Sequence, residues 1–134
     1  MSNTSIVADS SYIVEALLSD NSLIERYDDI YFLGHGVAEV INAIWKHQAT
    51  LQKINLLGSR QIITFFFNFI STKQIKVVNL GKMGFLDAYD LSAKTKLAIY
   101  DAAFIIFARS LDLELKTFDK RQAQVYKQHH QKQQ

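Results

Sequence analysis

Four short apolar runs, Ser5–Ala8, Asp29–Leu33, Ile75–Val78 and residues 113–118, are separated by stretches whose apolar residues recur at helical spacing. No other feature constrains the fold as strongly. Short apolar runs divided by helices read as parallel strands joined by crossovers, hence an α/β domain with a central parallel sheet flanked by helices. Right-handed crossovers send the strands toward one edge of the sheet and the following helices away from it, so strand ends and helix starts share that edge.

Carboxylates collect there. Asp9 follows the first run, Glu39 and Asp101 each open an apolar helical pattern, and Asp119 closes the fourth run. For the last two the distances match: a helix of about eleven residues covers ~16 Å outward, and a strand of about five residues returns the same distance. Four anions brought to one rim without internal cations repel one another unless a positive charge sits among them. A divalent cation is the economical solution, and the arrangement points to metal-dependent phosphodiesterase chemistry.

Helical patterns cover residues 12–18, with Ser10 or Ser11 as the cap, then 22–26 and 34–47. On a helical wheel Asn42, Ala43 and Lys46 share the side of Glu39, opposite Val37, Val40, Ile41 and Ile44. That polar side faces either a cleft or water. Residues 59–72 suit a strand or a buried helix equally, since Ile62, Ile63, Phe65, Phe66, Phe67, Phe69 and Ile70 crowd the segment. As a helix its apolar arc is wider than one core face needs, and either a subunit interface or the protein's own core covers the excess. Residues 82–93 and 100–111 complete the helices. The latter is apolar nearly all round and therefore central, with Asp101 in its first turn. The polar segment 122–134 is expected to fray, most of all 128–134.

Composition narrows the class. The chain of 134 residues has no cysteine and no proline, which excludes disulfides and thiolate metal sites and leaves no natural domain boundary. Residues 62–70, the longest apolar run, are too few to span a bilayer, and the beginning lacks the basic and apolar regions of a signal peptide. A single soluble, cytoplasmic domain is expected. The net charge of +2 is unevenly spread, −6 over residues 1–39 and +8 over 40–134. An acidic pocket rimmed by basic surface produces such a split, as does a mixed surface with no function. No glycine-rich phosphate loop follows a strand. His35 and His47 stand more than three turns apart on one helix and cannot share a metal. Ser10 and Ser11 lack the glycine-flanked turn of a hydrolase nucleophile.

Four motifs in order, Ile6-Val7-Ala8-Asp9-Ser10-Ser11, Glu39-Val40-Ile41-Asn42, Tyr100-Asp101-Ala102-Ala103 and Leu115-Lys116-Thr117-Phe118-Asp119-Lys120, resemble a PIN domain, the fold of VapC-type toxin ribonucleases. The resemblance spans nearly the whole chain. It implies a three-layer α/β/α fold, RNA cleavage dependent on Mg²⁺ or Mn²⁺, a homodimer, and a small antitoxin partner. The family's acids carry over to Asp9, Glu39, Asp101 and Asp119, and its small polar residues beside the first and last acids to Ser11 and Thr117. Gly34-His35-Gly36 departs from the Thr-Pro-like opening of this helix in many relatives.

Side-chain chemistry suits those roles. Carboxylates are hard oxygen ligands of the kind Mg²⁺ and Mn²⁺ take. Asp9, Asp101 and Asp119 are assigned to the metal, and Glu39 to a second metal or to orienting the attacking water. Ser11, Asn42 and Thr117 are assigned to hydrogen bonds that fix the carboxylates, and Lys46, Lys120 and Arg121 to RNA phosphates. Two other classes compete: a non-catalytic PIN-like interaction module, and a metal-dependent phosphohydrolase acting on small phosphate esters.

Overall fold

The computed structural model describes residues 4–132, with side chains up to Gln128. Four strands, β1 (Ser5–Ala8), β2 (Asp29–Leu33), β3 (Ile75–Val78) and β4 (Leu115–Lys116), form one sheet in the order β3-β2-β1-β4. Every pairing is parallel. Ile6, Val7 and Ala8 of β1 are all buried, as a strand covered on both faces requires. The register sets Ile6 against Ile30 and Val7 against Leu115, so apolar side chains run across the sheet in rows.

Among the described residues seven α-helices flank the sheet, α1 (Ser10–Leu18), α2 (Ser22–Glu25), α3 (His35–Trp45), α4 (Leu56–Ser71), α5 (Lys82–Thr95), α6 (Ile99–Leu111) and α7 (Lys120–Lys132), and a π-helical turn, Lys46–Thr50, continues α3. Helices α1, α3 and α4 pack on one another, and α6 packs on α5 and α7. This is the expected three-layer α/β/α arrangement. Successive strands move outward from β1 to β2 to β3, then the chain crosses back to place β4 on the other side of β1. The strand order therefore reverses between β1 and β4, and in open α/β sheets the crevice beyond the strand ends at such a reversal is where ligands bind.

Several boundaries differ from the sequence reading. Asp9, rather than Ser10 or Ser11, caps α1: it stands in extended backbone conformation and its carboxylate accepts from Tyr12 N. The ambiguous segment is helical and starts early, at Leu56, because Asn55 Oδ1 accepts from Gly58 N at 2.7 Å. Phe66 of that helix is fully buried in the protein's own core, whereas Phe65 and Phe67 are exposed. The fourth strand is shorter than the run 113–118. Leu113 N closes the end of α6 by donating to Ala108 O, and Asp119 N turns to the Thr117 hydroxyl, so both ends of the run are diverted from the ladder. The polar segment expected to fray from 122 onward continues as α7, held by buried Gln122 and Val125; residues 133–134 lie outside the described residues.

Helix α6 is central, as its composition requires: Ala102, Ala103, Phe104, Ile105, Phe107 and Ala108 are buried. The glycines at the start of α3 have a packing role. A Cβ on Gly36 would lie 2.4 Å from Phe32 Cζ, and the ring of Phe32 in turn sits 6.3 Å from that of Phe66 and 5.6 Å from that of Phe104. Only a residue without a side chain lets α3 approach this aromatic cluster. No helix among the described residues is long and apolar enough to cross a membrane.

Candidate metal centre at the sheet edge

Asp9 leaves the end of the central strand and its side chain is almost fully enclosed. Its Oδ1 accepts from Ser11 Oγ at 2.8 Å and Tyr12 N at 3.0 Å, and its Oδ2 accepts from Thr117 Oγ1 at 2.6 Å. Three of the roughly four lone-pair positions of the carboxylate are thus occupied, which fixes the rotamer and leaves about one for a ligand. The Ser11 and Thr117 hydroxyls lie 3.2 Å apart, and each has a single proton, directed to Asp9. Burial pushes the Asp9 carboxyl above the ordinary range, the hydrogen bonds from Thr117, Tyr12 and Ser11 pull it back, and the Asp119 charge raises it. The balance is upward.

Thr117 brings the second side of the crevice to the first. Its hydroxyl also receives the backbone N–H of Asp119 at 2.9 Å, while Phe118 N donates to Ser11 Oγ at 2.9 Å. Asp119 opens α7, with Oδ1 accepting from Gln122 N at 3.0 Å. Asp101, in the first turn of α6, is pushed up to about 6, first by burial and then by the charges of Asp119, Asp9 and Glu39. The four acids therefore share one electrostatic environment. Glu39 reaches it from α3, where Oε1 accepts from Ser10 Oγ at 2.8 Å.

Two further residues belong to this edge. Gln122 is fully buried; its Nε2 donates to Asp101 O at 3.0 Å, and its Oε1 lies 3.3 Å from Thr117 Oγ1. His35 places Nε2 between two acceptors, Tyr100 O at 3.3 Å and Glu39 Oε1 at 4.0 Å, so that nitrogen carries a proton. A glutamine in a polar segment gives no sequence signal of burial. His35 was legible only as a poor partner for His47, and its contact with α6 is tertiary.

The remaining sequence-predicted residues are Asn42, Lys46, Lys120 and Arg121. Asn42 is exposed and forms no hydrogen bond with the four acids among the described residues. Lys46 stands seven residues beyond Glu39, about 10 Å along the helix axis. Lys120 and Arg121 follow Asp119 directly, and Arg121 donates to Thr95 O at 2.7 Å, which anchors it to the end of α5.

The donors suit a hard divalent cation, since all four are carboxylates and Asp101 is raised by burial and then by the charges of the other three. They do not form a finished cage: among the described residues no three His, Asp or Glu side chains converge tightly enough to ligate one ion. The two observations are compatible for Mg²⁺, which keeps several waters and takes only one or two carboxylates directly. A cavity of about 420 Å³ lies elsewhere, between α5 and α6, lined by Asp87, Asp90, Lys94 and Arg109 among others. The four acids occupy the sheet edge instead.

Fold and edge together define a doubly wound α/β domain with an acidic crevice at its reversal point. The sequence matches the family model of the PIN domain over residues 6–128, and the chain belongs to that family, whose members are generally nucleases. Among solved structures, PAE2754 from Pyrobaculum aerophilum is similar with a TM-score of 0.74 and 19% identity, covering 92% of this chain and 85% of that one. VapC20 of Mycobacterium tuberculosis, described as a sarcin-ricin loop cleaving toxin, is similar with a TM-score of 0.66 and 9% identity, covering 89% and 93%. No curated protein matches the sequence.

Proposed function

We propose that this protein is an endoribonuclease dependent on Mg²⁺ or Mn²⁺, the toxin of a toxin–antitoxin pair. The observation that carries the proposal is Asp101, held at about 6 by burial and by the charges of Asp119, Asp9 and Glu39. A scaffold that only binds partners has no use for that repulsion, whereas a cation relieves it. VapC20, a toxin by its description, supports the biological role through its fold alone.

Asp9, Asp101 and Asp119 would hold the cation, with Glu39 taking a second ion or orienting the water that attacks phosphorus. A bound cation supplies charge stabilisation and a water of lowered pKa. The protein's own groups do the positioning. Ser11 and Thr117 lock the Asp9 carboxylate, and Asn42 lies one turn from Glu39 on the same helix. Lys46, Lys120 and Arg121 would contact RNA phosphates. Residues 1–134 form one catalytic domain with 128–134 as a polar tail, working in the cytoplasm as a homodimer and restrained by a small antitoxin.

The test is to incubate the protein with structured RNA, single-stranded DNA and a chromogenic phosphate ester, in Mn²⁺ and in chelator. RNA alone should be cleaved, only with the metal, and Asp101→Asn should abolish cleavage while leaving the helical circular-dichroism signal intact. Undiminished cleavage by that variant would overturn the catalytic assignment. Hydrolysis of the ester alone would favour a small-substrate phosphohydrolase, and inertness toward all three a binding module.

A further inference from the structure

Helices α3 and α4 pack on one another and are joined by the π-helical turn Lys46–Thr50 and a short link. Leu51 N donates to Lys46 O and Lys53 N to His47 O, both at 2.8 Å, so the link folds back on the turn and residues 45–57 make one hairpin tip. Its large side chains are apolar and bare: Trp45, Leu51, Leu56 and Leu57 are 52%, 51%, 63% and 68% exposed. Scattered surface hydrophobics need no explanation, but a group of them on one tip does. The charge around them is one-sided. Residues 40–86 contain six Lys and Arg and no Asp or Glu. Lys53 and Arg60 are exposed and form no ion pair among the described residues. Arg60 lies one helical turn beyond Leu56 and Leu57, on their side of α4.

We infer that this tip docks on an anionic phospholipid surface, with Trp45 and the three leucines entering the headgroup layer and Lys53 and Arg60 meeting the lipid phosphates. Apolar side chains fringed by uncompensated cations complement such a surface twice over: the apolar groups leave water, and the basic groups are drawn to its negative potential. Tryptophan suits that depth, since its ring is apolar while its N–H stays wet. The shape agrees. A hairpin tip is convex, whereas a peptide or helix from a protein partner seeks a groove. The cavity bordering the next turn of α4, about 350 Å³ and lined by Leu17, Gly58, Gln61, Ile62 and Phe65 among others, takes in none of the four apolar residues. RNA is the poorer match, because leucine offers a base no ring to stack on.

Trp45 is the only tryptophan of the chain, so its fluorescence reports on this tip alone. The test is to titrate the whole protein, in chelator, with vesicles of phosphatidylcholine alone and of phosphatidylcholine with phosphatidylserine. Trp45 emission should shift to the blue with the anionic vesicles, and far less with the neutral ones or at high salt. Leu51→Ser and Leu57→Ser together should weaken vesicle binding by about tenfold or more, and Lys53→Gln and Arg60→Gln by about fivefold each. All four positions are exposed, so the variants should fold, as melting curves will verify. No shift with either vesicle would overturn the inference, as would vesicle binding that these substitutions leave unchanged. Failure to bind vesicles, combined with a leucine variant that falls from dimer to monomer, would assign the tip to a second copy of the chain and overturn the lipid surface. The same failure combined with lost RNA affinity in Lys53→Gln and Arg60→Gln would assign it to RNA, with the same result.

Discussion

Gln122 donates its side-chain amide to the backbone carbonyl of Asp101 at 3.0 Å, across the junction of α7 and α6. Through it the first turn of α7, which carries Asp119, is tied to the first turn of α6. The spacing of two of the four acids is thereby set by a neutral residue.

Replacing Gln122 with leucine should therefore do two things. It removes the buried amide's hydrogen bond to the Asp101 carbonyl, a loss of about 1 kcal/mol measurable by urea unfolding. It should also weaken the effect of Mn²⁺ on the melting temperature. A variant as stable as the wild type, with an unchanged Mn²⁺ response, would remove Gln122 from the site.

Asp101 gives a dependence on pH with a definite sign. Its carboxyl is raised from 3.8 to about 6, so below the ordinary value both folded and unfolded chains hold the proton and no penalty exists. Between the two values the unfolded chain releases its proton first, and stability falls as pH rises; above about 6 the penalty is complete. Asp101→Asn lacks this term. In chelator it should melt above the wild type near neutral pH, with the difference shrinking on acidification toward pH ~4. A constant difference across that window would show that Asp101 is not raised.

Metal addition tests the same cluster by mass action. Millimolar Mn²⁺ should raise the melting temperature of the wild type and have much less effect on Asp101→Asn, because a ligand that binds only the folded state stabilises in proportion to its affinity. Indifference of the wild type to Mn²⁺ would count against a metal centre at this edge.

Gly36 carries a prediction that rests on packing alone. Alanine there forces a Cβ to 2.4 Å from Phe32 Cζ, and Phe32 is enclosed by Phe66 and Phe104. Gly36→Ala should be destabilising by about 1–3 kcal/mol, the usual range for overpacking. A neutral or stabilising effect would mean that the ring has room to move.

The outer side of α4 bears on assembly. Phe65, Phe67, Leu56 and Leu57 are exposed while Phe66 is internal. Light scattering should give the mass of a dimer for the wild type, and Phe65→Asp should shift it toward the monomer. A strict monomer at tens of micromolar would leave these residues as isolated surface hydrophobics.

Much of this was legible because period and position carry it. The buried runs of β1 and β2, the apolar run of β3 and the all-round apolar pattern of α6 are written locally, and so is the placement of Asp9, Asp101 and Asp119 at strand ends and helix starts. What was not legible depends on contacts distant in sequence. Asp9 displaced the expected serine caps because Ser10 donates to Glu39 and Ser11 to Asp9 itself, while Thr117, 108 residues along the chain, holds the Asp9 carboxylate in place. Gln122 looked like one more polar residue of a fraying tail, since nothing nearby announces that Asp101 O will need a donor. Asn42 shares a helical side with Glu39 on the wheel but, exposed to water, makes no hydrogen bond to it among the described residues.

The pairing of Thr117 with Asp9 also sets the order in which the site can come into being. During synthesis Asp9 and Glu39 emerge long before β4, and until the chain returns to lie beside β1 the Asp9 carboxylate lacks the Thr117 hydroxyl and the company of Asp119. A ribosome making this protein therefore carries a nascent chain whose acidic edge is still unassembled. Whatever chemistry the four carboxylates perform together is thereby withheld until the polypeptide has folded.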